Sequence, residues 1–270
     1  LEHDYLEHLS SLSAVDEEIP LDVFDNLPVR GAYYMVVRNE DLQGAKSVIR
    51  SMKDTMPEGK LRYPFIFLNN QDFTPDFRKY IKRLLLGTDI YFGKIDSLVW
   101  NYPSFIDIKR AERLMLQQGF KGVFRGSSLS FRQMLRYHAG LYFHHPLFRN
   151  VDYSWRVEPG SEYTCQMDTD PFLTMKMKNK KIGYTITMKE AQNTIPTLWK
   201  HVNDFVGYHP EHILPANETI LPWILNRQQT YNLCHMWSNF EIADLSFFRS
   251  SAYQKYFEYL DNTGNFFYER

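Results

Sequence analysis

GAYYMVVRNEDLQGAKSVIRSMKDTMPEGKLRYPFIFL, residues 31–68, decides the fold. Its first part, Gly31 to Val37, is almost continuously apolar, the pattern of a strand covered on both faces rather than one with a wet side. Arg38-Asn39 ends the run, and Asn39 is placed to cap a helix from Glu40 to about Met56. Within that helix Leu42, Ala45, Val48, Ile49 and Met52 recur on one face. Pro57 and Gly59 stop it, and Pro64 to Leu68 reads as a second buried strand, with Asn69-Asn70 opening a polar turn. Strand, helix and strand with apolar strands is the signature of a parallel sheet with crossover helices.

The alternation continues outward. Pro75 to Leu86 reads as a helix, Ile90 to Gly93 as a short strand, and Ile106 to Gln118 as a helix ending at Gly119. Ser127 to Phe143 has the pattern of a long aromatic helix carrying Arg132 and Arg136. Tyr153 to Val157 is a strand that leads into the turn Glu158-Pro159-Gly160; Ile182 to Thr187 is a further strand, and Pro196 to Val206 and Leu245 to Leu260 are helices. No repeat or linker divides the chain. The economical organisation is an acidic lead-in segment at 1–27, including Asp16-Glu17-Glu18, and a single α/β domain at 28–270.

The 31 basic and 32 acidic side chains nearly cancel, which argues against a nucleic-acid binder held by phosphate electrostatics. No apolar run approaches the roughly 18 residues of a membrane helix. Aromatic residues make 16% of the chain, which suits either ring-packed cores or ring-lined sugar and base pockets. Cys165 and Cys234 have no metal-binding spacing and fit a disulfide or two buried thiols equally. Asn217-Glu218-Thr219 fits an N-glycosylation sequon in a polar loop. Phosphate-loop, dinucleotide-binding, nucleophile-elbow and zincin motifs are all missing, which weighs against those enzyme classes.

Ligands of parallel sheets sit beyond the carboxyl ends of strands. Arg38-Asn39 and Glu158 stand at such ends. A carboxylate at Glu158 can ligate a hard divalent cation that in turn binds phosphate, although the same residues also suit an ordinary surface turn. Tyr231 to Ile242, YNLCHMWSNFEI, alternates His, Ser, Asn and Glu with rings, and neither a helical nor a strand period accounts for all of it. That mixture fits a sugar-site wall, with Glu241 as base, nucleophile or stabiliser of positive charge, and it equally fits a buried polar network.

Taken together, MVVRNEDL (35–42), YPFIFLN (63–69), WRVEP (155–159), YNLCHMWSNFEI (231–242) and FFYER (266–270) resemble, in order, the fungal Golgi α-1,2-mannosyltransferases of glycosyltransferase family 15. The resemblance implies a GT-A-like α/β domain with a mixed, mainly parallel sheet flanked by helices. It implies a retaining transfer of mannose from GDP-mannose to an α-mannoside glycan or glycoprotein, with Mn²⁺ as the cation and no nucleic-acid partner. Carried over residue by residue, it makes Glu241 catalytic and Glu158 the metal-associated carboxylate. Arg38, Asn39 and Arg156 are expected at the donor nucleotide, and His235, Trp237 and Asn239 at the sugar. It places the full-length protein in the Golgi lumen as a type II membrane protein, anchored only by an N-terminal segment outside this chain.

The departures from the family are specific. The family's Glu-Pro-Asp is Glu158-Pro159-Gly160 here, Phe131 stands where a site Tyr is expected, and Leu135 replaces a family Cys. The domain is expected to be truncated at its C-terminus, because the sequence stops at Arg270, before a Trp-Gly-Asp stretch and a His-rich segment that complete the family's site. Gly160 and Phe131 leave open a non-catalytic sugar- or nucleotide-binding homologue that assists an active partner, and the resemblance also allows a mannosylphosphate transferase, since some relatives are linked to phosphate-bearing glycans.

Overall fold

The structure, a computed structural model, describes residues 18–269. The main elements, in chain order, are β1 (Gly31–Val36), α1 (Leu42–Thr55), β2 (Phe65–Asn69), α2 (Pro75–Leu84), β3 (Ile90–Lys94), α3 (Ile108–Phe120), α4 (Leu129–Gly140), β4 (Tyr153–Val157) and α5 (Pro171–Met177). They continue with β5 (Ile182–Gly183), β6 (Thr187–Lys189), α6 (Leu198–Tyr208), β7 (Cys234–Met236), β8 (Phe240–Asp244) and α7 (Ser251–Asn262). These elements form two compact units. The first holds the chain up to Trp100 with Leu141–Thr185 and Ser238–Phe248; the second holds Asn101–Gly140, Ile186–Trp237 and the chain from Arg249 onward. The expected span 28–270 therefore contains both.

The first unit is built on a six-stranded sheet of order β3-β2-β1-β4-β8-β5. β3, β2, β1 and β4 run parallel, and β8 is antiparallel to β4 and to β5. This is the mixed, mainly parallel sheet expected. Period-two alternation sorts its side chains. One face carries Tyr33, Met35, Phe65, Phe67, Trp155, Val157 and Ile242, packed with Ala45, Val48, Ile49 and Met52 of α1 and with Phe77 and Ile81 of α2. On the other face Tyr34 stacks on Tyr142 at 4.5 Å and meets Phe148 edge-on at 5.4 Å. Both faces are dry, so the strands are continuously apolar. The described part of the lead-in joins this unit: Leu21–Phe24 is a 3-10 turn, and Ile19 and Phe24 are buried. Asp16-Glu17 lie outside the described residues.

The second unit packs helices and a two-stranded ladder of β6 with β7. α4 and α7 approach so closely that a Cβ on Gly140 would stand 2.3 Å from the Phe257 ring. The same pair of helices is joined by Arg136, whose Nε and Nη2 each donate at 2.7 Å to the two carboxylate oxygens of Asp261, both side chains being buried. Such a pair is geometrically demanding, and loss of one partner strands the other charge.

Several boundaries differ from the sequence reading, for local reasons. The helix expected over Ser127 to Phe143 ends at Gly140, and Tyr142–His144 tightens into a 3-10 turn. The helix expected at Leu245 to Leu260 is broken into Leu245–Phe248 and Ser251–Asn262, because the Ser250 hydroxyl caps a new helix by accepting from Tyr253 N. Ile182 to Thr187 is not one strand. Only Ile182–Gly183 pairs with β8, and Thr187–Lys189 pairs with β7. Asn39 does not cap α1. The helix starts after a 3-10 turn at Asn39–Asp41, and Asp41 occupies the cap position without a side-chain bond.

Candidate active site

The carboxyl edge of the parallel strands gathers polar side chains. β1 exits through Val37, whose N–H donates to Leu68 O at 2.9 Å, into Arg38. The Arg38 side chain is exposed and, among the described residues, pairs with its neighbours Glu40 and Asp41, at 3.3 and 3.6 Å. Surface pairs of this kind hold an arginine weakly, so its planar fork can turn to a diphosphate. Asn39 is tied to the next loop: its Nδ2 donates to Asp72 O and its Oδ1 accepts from Thr74 N, both at 3.0 Å. With both polar groups engaged, Asn39 clamps the loop that leaves β2. Asn69, at the end of β2, was marked in the sequence only as a turn signal. It is buried, accepts from Gln71 N at 3.3 Å, and its Nδ2 has no hydrogen-bond partner. Nothing in the residue types themselves marks that side chain as buried.

β4 supplies the centre. Because Trp155 and Val157 take the core face, Arg156 must take the other. Register then builds a row across three strands: Tyr34 of β1 beside Arg156 of β4, and Arg156 opposite Glu241 of β8. Arg156 is 4% exposed, and its guanidinium is engaged within the protein. Nη2 donates to Glu158 Oε2 at 2.9 Å, Nη1 donates to Ser238 Oγ at 3.3 Å, and the buried Nε–H has no acceptor. Glu241 makes no hydrogen bond or ion pair among the described residues. Burial pushes its carboxyl above the ordinary carboxylate range, and the nearby Arg156 charge pulls it partly back. The Tyr34 phenol is also raised, by burial first and then by Tyr142.

Glu158 follows β4 directly, half-buried, in a turn closed by Ser161 N donating to Glu158 O at 3.2 Å. Two residues on, Gly160 has φ +79°, donates to Gly44 O at 3.2 Å, and a Cβ added to it would meet nothing within 4 Å. Among the described residues no three His, Cys, Asp or Glu side chains converge as a metal cluster. The donor set therefore fits a hard divalent cation only through one protein oxygen ligand, Glu158, with the remaining ligands brought by a diphosphate.

The stretch Tyr231 to Ile242 has no single period because it serves both units in turn. Its first part belongs to the second unit. Tyr231 Oη donates to Cys234 O at 2.8 Å, Asn232 Oδ1 accepts from Cys234 N at 2.8 Å, and Leu233 is held at φ +67° between them. His235 lies opposite Met188 in the β6–β7 ladder with a buried Nδ1 that has no partner. Trp237 is partly exposed, and its N–H donates to Ile186 O at 3.1 Å. Asn239 and Glu241 belong to the first unit, in the turn before β8 and on β8 itself. The structure thus sets Glu241 opposite Arg156, which bonds Glu158, and assigns His235 and Trp237 to the second unit. Cys165 and Cys234 are both free thiols. Phe131 lies in α4 with the Arg125 guanidinium 5.3 Å from its ring centre.

Residues 8–270 match the family described as glycolipid 2-alpha-mannosyltransferase. Glycolipid 2-alpha-mannosyltransferase 2 of Candida albicans is 40% identical over 243 residues, covering 90% of this chain and 52% of that protein. Alpha-1,2 mannosyltransferase KTR1 of Saccharomyces cerevisiae is 40% identical over 242 residues, covering 89% and 61%. The chain thus spans between half and two thirds of the length of these relatives. The crystal structure of core-mannan synthase A from Aspergillus fumigatus, in its Mn/GDP form, is similar with a TM-score of 0.85 and 32% identity, over 91% of this chain and 68% of that one. The mannosyltransferase Ktr4p of S. cerevisiae in complex with GDP gives a TM-score of 0.85 and 30% identity, over 99% and 73%. With the GT-A-like sheet and the ordered motifs in agreement, the chain belongs to the glycolipid 2-alpha-mannosyltransferase family.

Proposed function

We propose that the complete protein is a retaining α-1,2-mannosyltransferase that moves mannose from GDP-mannose to an α-mannoside glycan or glycoprotein. The observation that carries this reading is the half-buried Glu241 set in register opposite Arg156, which bonds Glu158, on a nucleotide-sugar-type sheet. Arg38 would meet the diphosphate as an exposed guanidinium at the exit of β1. Glu158 would hold Mn²⁺, which when bound neutralises charge on the leaving diphosphate. Glu241 presents a carboxylate to the positive charge that develops at the anomeric carbon as the bond to diphosphate oxygen breaks. The acceptor hydroxyl oxygen then bonds that carbon, and its proton passes to the departing diphosphate oxygen.

The test is incubation of the complete protein with GDP-mannose, Mn²⁺ and methyl α-mannoside. A neutral disaccharide, lost in Glu241→Gln, is expected. A folded protein that transfers nothing to several mannosides would sink the reading. Gly160 favours a second reading, a homologue that binds without turnover, since it removes one carboxylate from the turn; calorimetric binding of GDP with no product would select it. We place the protein in the Golgi lumen. No helix among the described residues is long and apolar enough to cross a membrane. Asn217 is exposed in a 3-10 turn, so an N-glycan there would report passage through the secretory lumen.

A further inference from the structure

Among the described residues Arg156 is the charged neighbour that acts on Glu241, yet its guanidinium bonds Glu158. Two carboxylates therefore share one cation inside a sheet face. The sharing is unequal. Glu158 receives an N–H at 2.9 Å, whereas Glu241 receives none and the Arg156 Nε–H, fully buried, donates to nothing. A guanidinium has five N–H donors in a rigid fork, and an unspent buried one is costly. Directly opposed residues of antiparallel strands have Cβ atoms about 5 Å apart, so Glu241 lies within the sweep of the Arg156 side chain. Among the described residues the other hold on the fork is the 3.3 Å bond to Ser238.

We propose that Arg156 is a shared arm: it rests on Glu158, and it passes to Glu241 when Glu158 ligates a divalent cation. Cation binding and delivery of a guanidinium to Glu241 become one event. Arg156 is then a positioning residue, and Glu158 exchanges one positive partner for another. The inference rests on the reading of Glu158 as a cation ligand.

The test is Mn²⁺ binding to the complete protein without nucleotide, followed by electron paramagnetic resonance of the free ion, with thermal melts confirming that each variant is folded. Arg156→Met removes the competitor for Glu158 and should tighten Mn²⁺ binding about tenfold, within the 5–150-fold range usual for coupled sites. Arg156→Lys should fall between it and the wild type. Glu241→Gln, a near-isosteric change that keeps the fold even if Arg156→Met does not, removes the second seat and should weaken binding severalfold. In the Arg156→Met background, Glu241→Gln should change nothing. Additive effects of the two substitutions would mean independent through-space charge effects and would overturn the arm. So would wild-type affinity in folded Glu241→Gln. A wild-type protein that binds no Mn²⁺ would overturn the cation reading as well, which separates the two failures.

Discussion

Gly160→Asp restores the second carboxylate of the family's turn, and the structure fixes what that should do. The residue has φ +79°, and an added Cβ meets no atom within 4 Å, so the cost is conformational rather than steric. A left-handed conformation costs a side-chain-bearing residue roughly 1–2 kcal/mol. For a chain of this size each kcal/mol moves the melting temperature by about 2–4 °C, so the cation-free variant should melt about 2–8 °C below the wild type. A carboxylate two residues beyond Glu158 adds a charge and a ligand to a site that has only one from the protein. About tenfold tighter Mn²⁺ binding adds about 1.4 kcal/mol of stabilisation at saturating Mn²⁺, which offsets most of the conformational cost. Thermal melts with and without Mn²⁺ measure both effects. The reasoning is refuted if the cation-free variant falls far more than about 10 °C, which would require a clash absent at Gly160, or if Mn²⁺ shifts variant and wild type equally.

Other perturbations test separate parts. The Glu241 carboxyl titrates above its unfolded value, so the native state holds that proton more tightly than the unfolded chain does. Its contribution is complete at low pH and is lost as pH rises through the raised value. Glu241→Gln should therefore gain stability relative to the wild type as pH rises above the ordinary carboxylate range, and a pH-independent difference would contradict the burial argument. Asp261→Ala strands Arg136 inside the α4–α7 contact and should cost about 3–5 kcal/mol in denaturant unfolding, while Asp261→Glu should recover part of it. Asn39→Ala removes two bonds from an exposed loop clamp and should cost only about 1–2 kcal/mol, with a raised KM for the donor as the loop loosens. Asn217→Gln in secreted protein should abolish an endoglycosidase-sensitive mass shift.

The sheet was legible because its strands are buried on both faces: Gly31–Val36 and Phe65–Asn69 could hardly be read otherwise. The helix face Ala45, Val48, Ile49 and Met52 followed from period alone. Glu158 was legible as a carboxylate at a strand end. The placing of Glu241 opposite Arg156 was not, because that depends on β8 lying antiparallel beside β4, and such pairing between strands distant in sequence leaves no local trace. The same limit hid the division of Tyr231 to Ile242 between two units: a window of residues reports chemistry, not the ladder that each residue joins. Asn39 reads as a helix cap in the sequence and is a loop clamp in the structure, because Asn at a strand exit serves either role with the same side-chain groups.

The place of β8 has a consequence for synthesis. The unit that carries Glu241 is assembled from separate stretches, and its fifth strand in spatial order is supplied by Ser238–Phe248, long after β1 to β4 have left the ribosome. Until that stretch emerges, β4 presents an open edge and the buried Arg156 faces no Glu241. The nascent protein must tolerate both, with a long intervening segment still unplaced. Late closure of this kind makes the edge of β4 the segment on which a folding chaperone has the longest time to act, and makes nonsense truncations before residue 238 poor candidates for a soluble product.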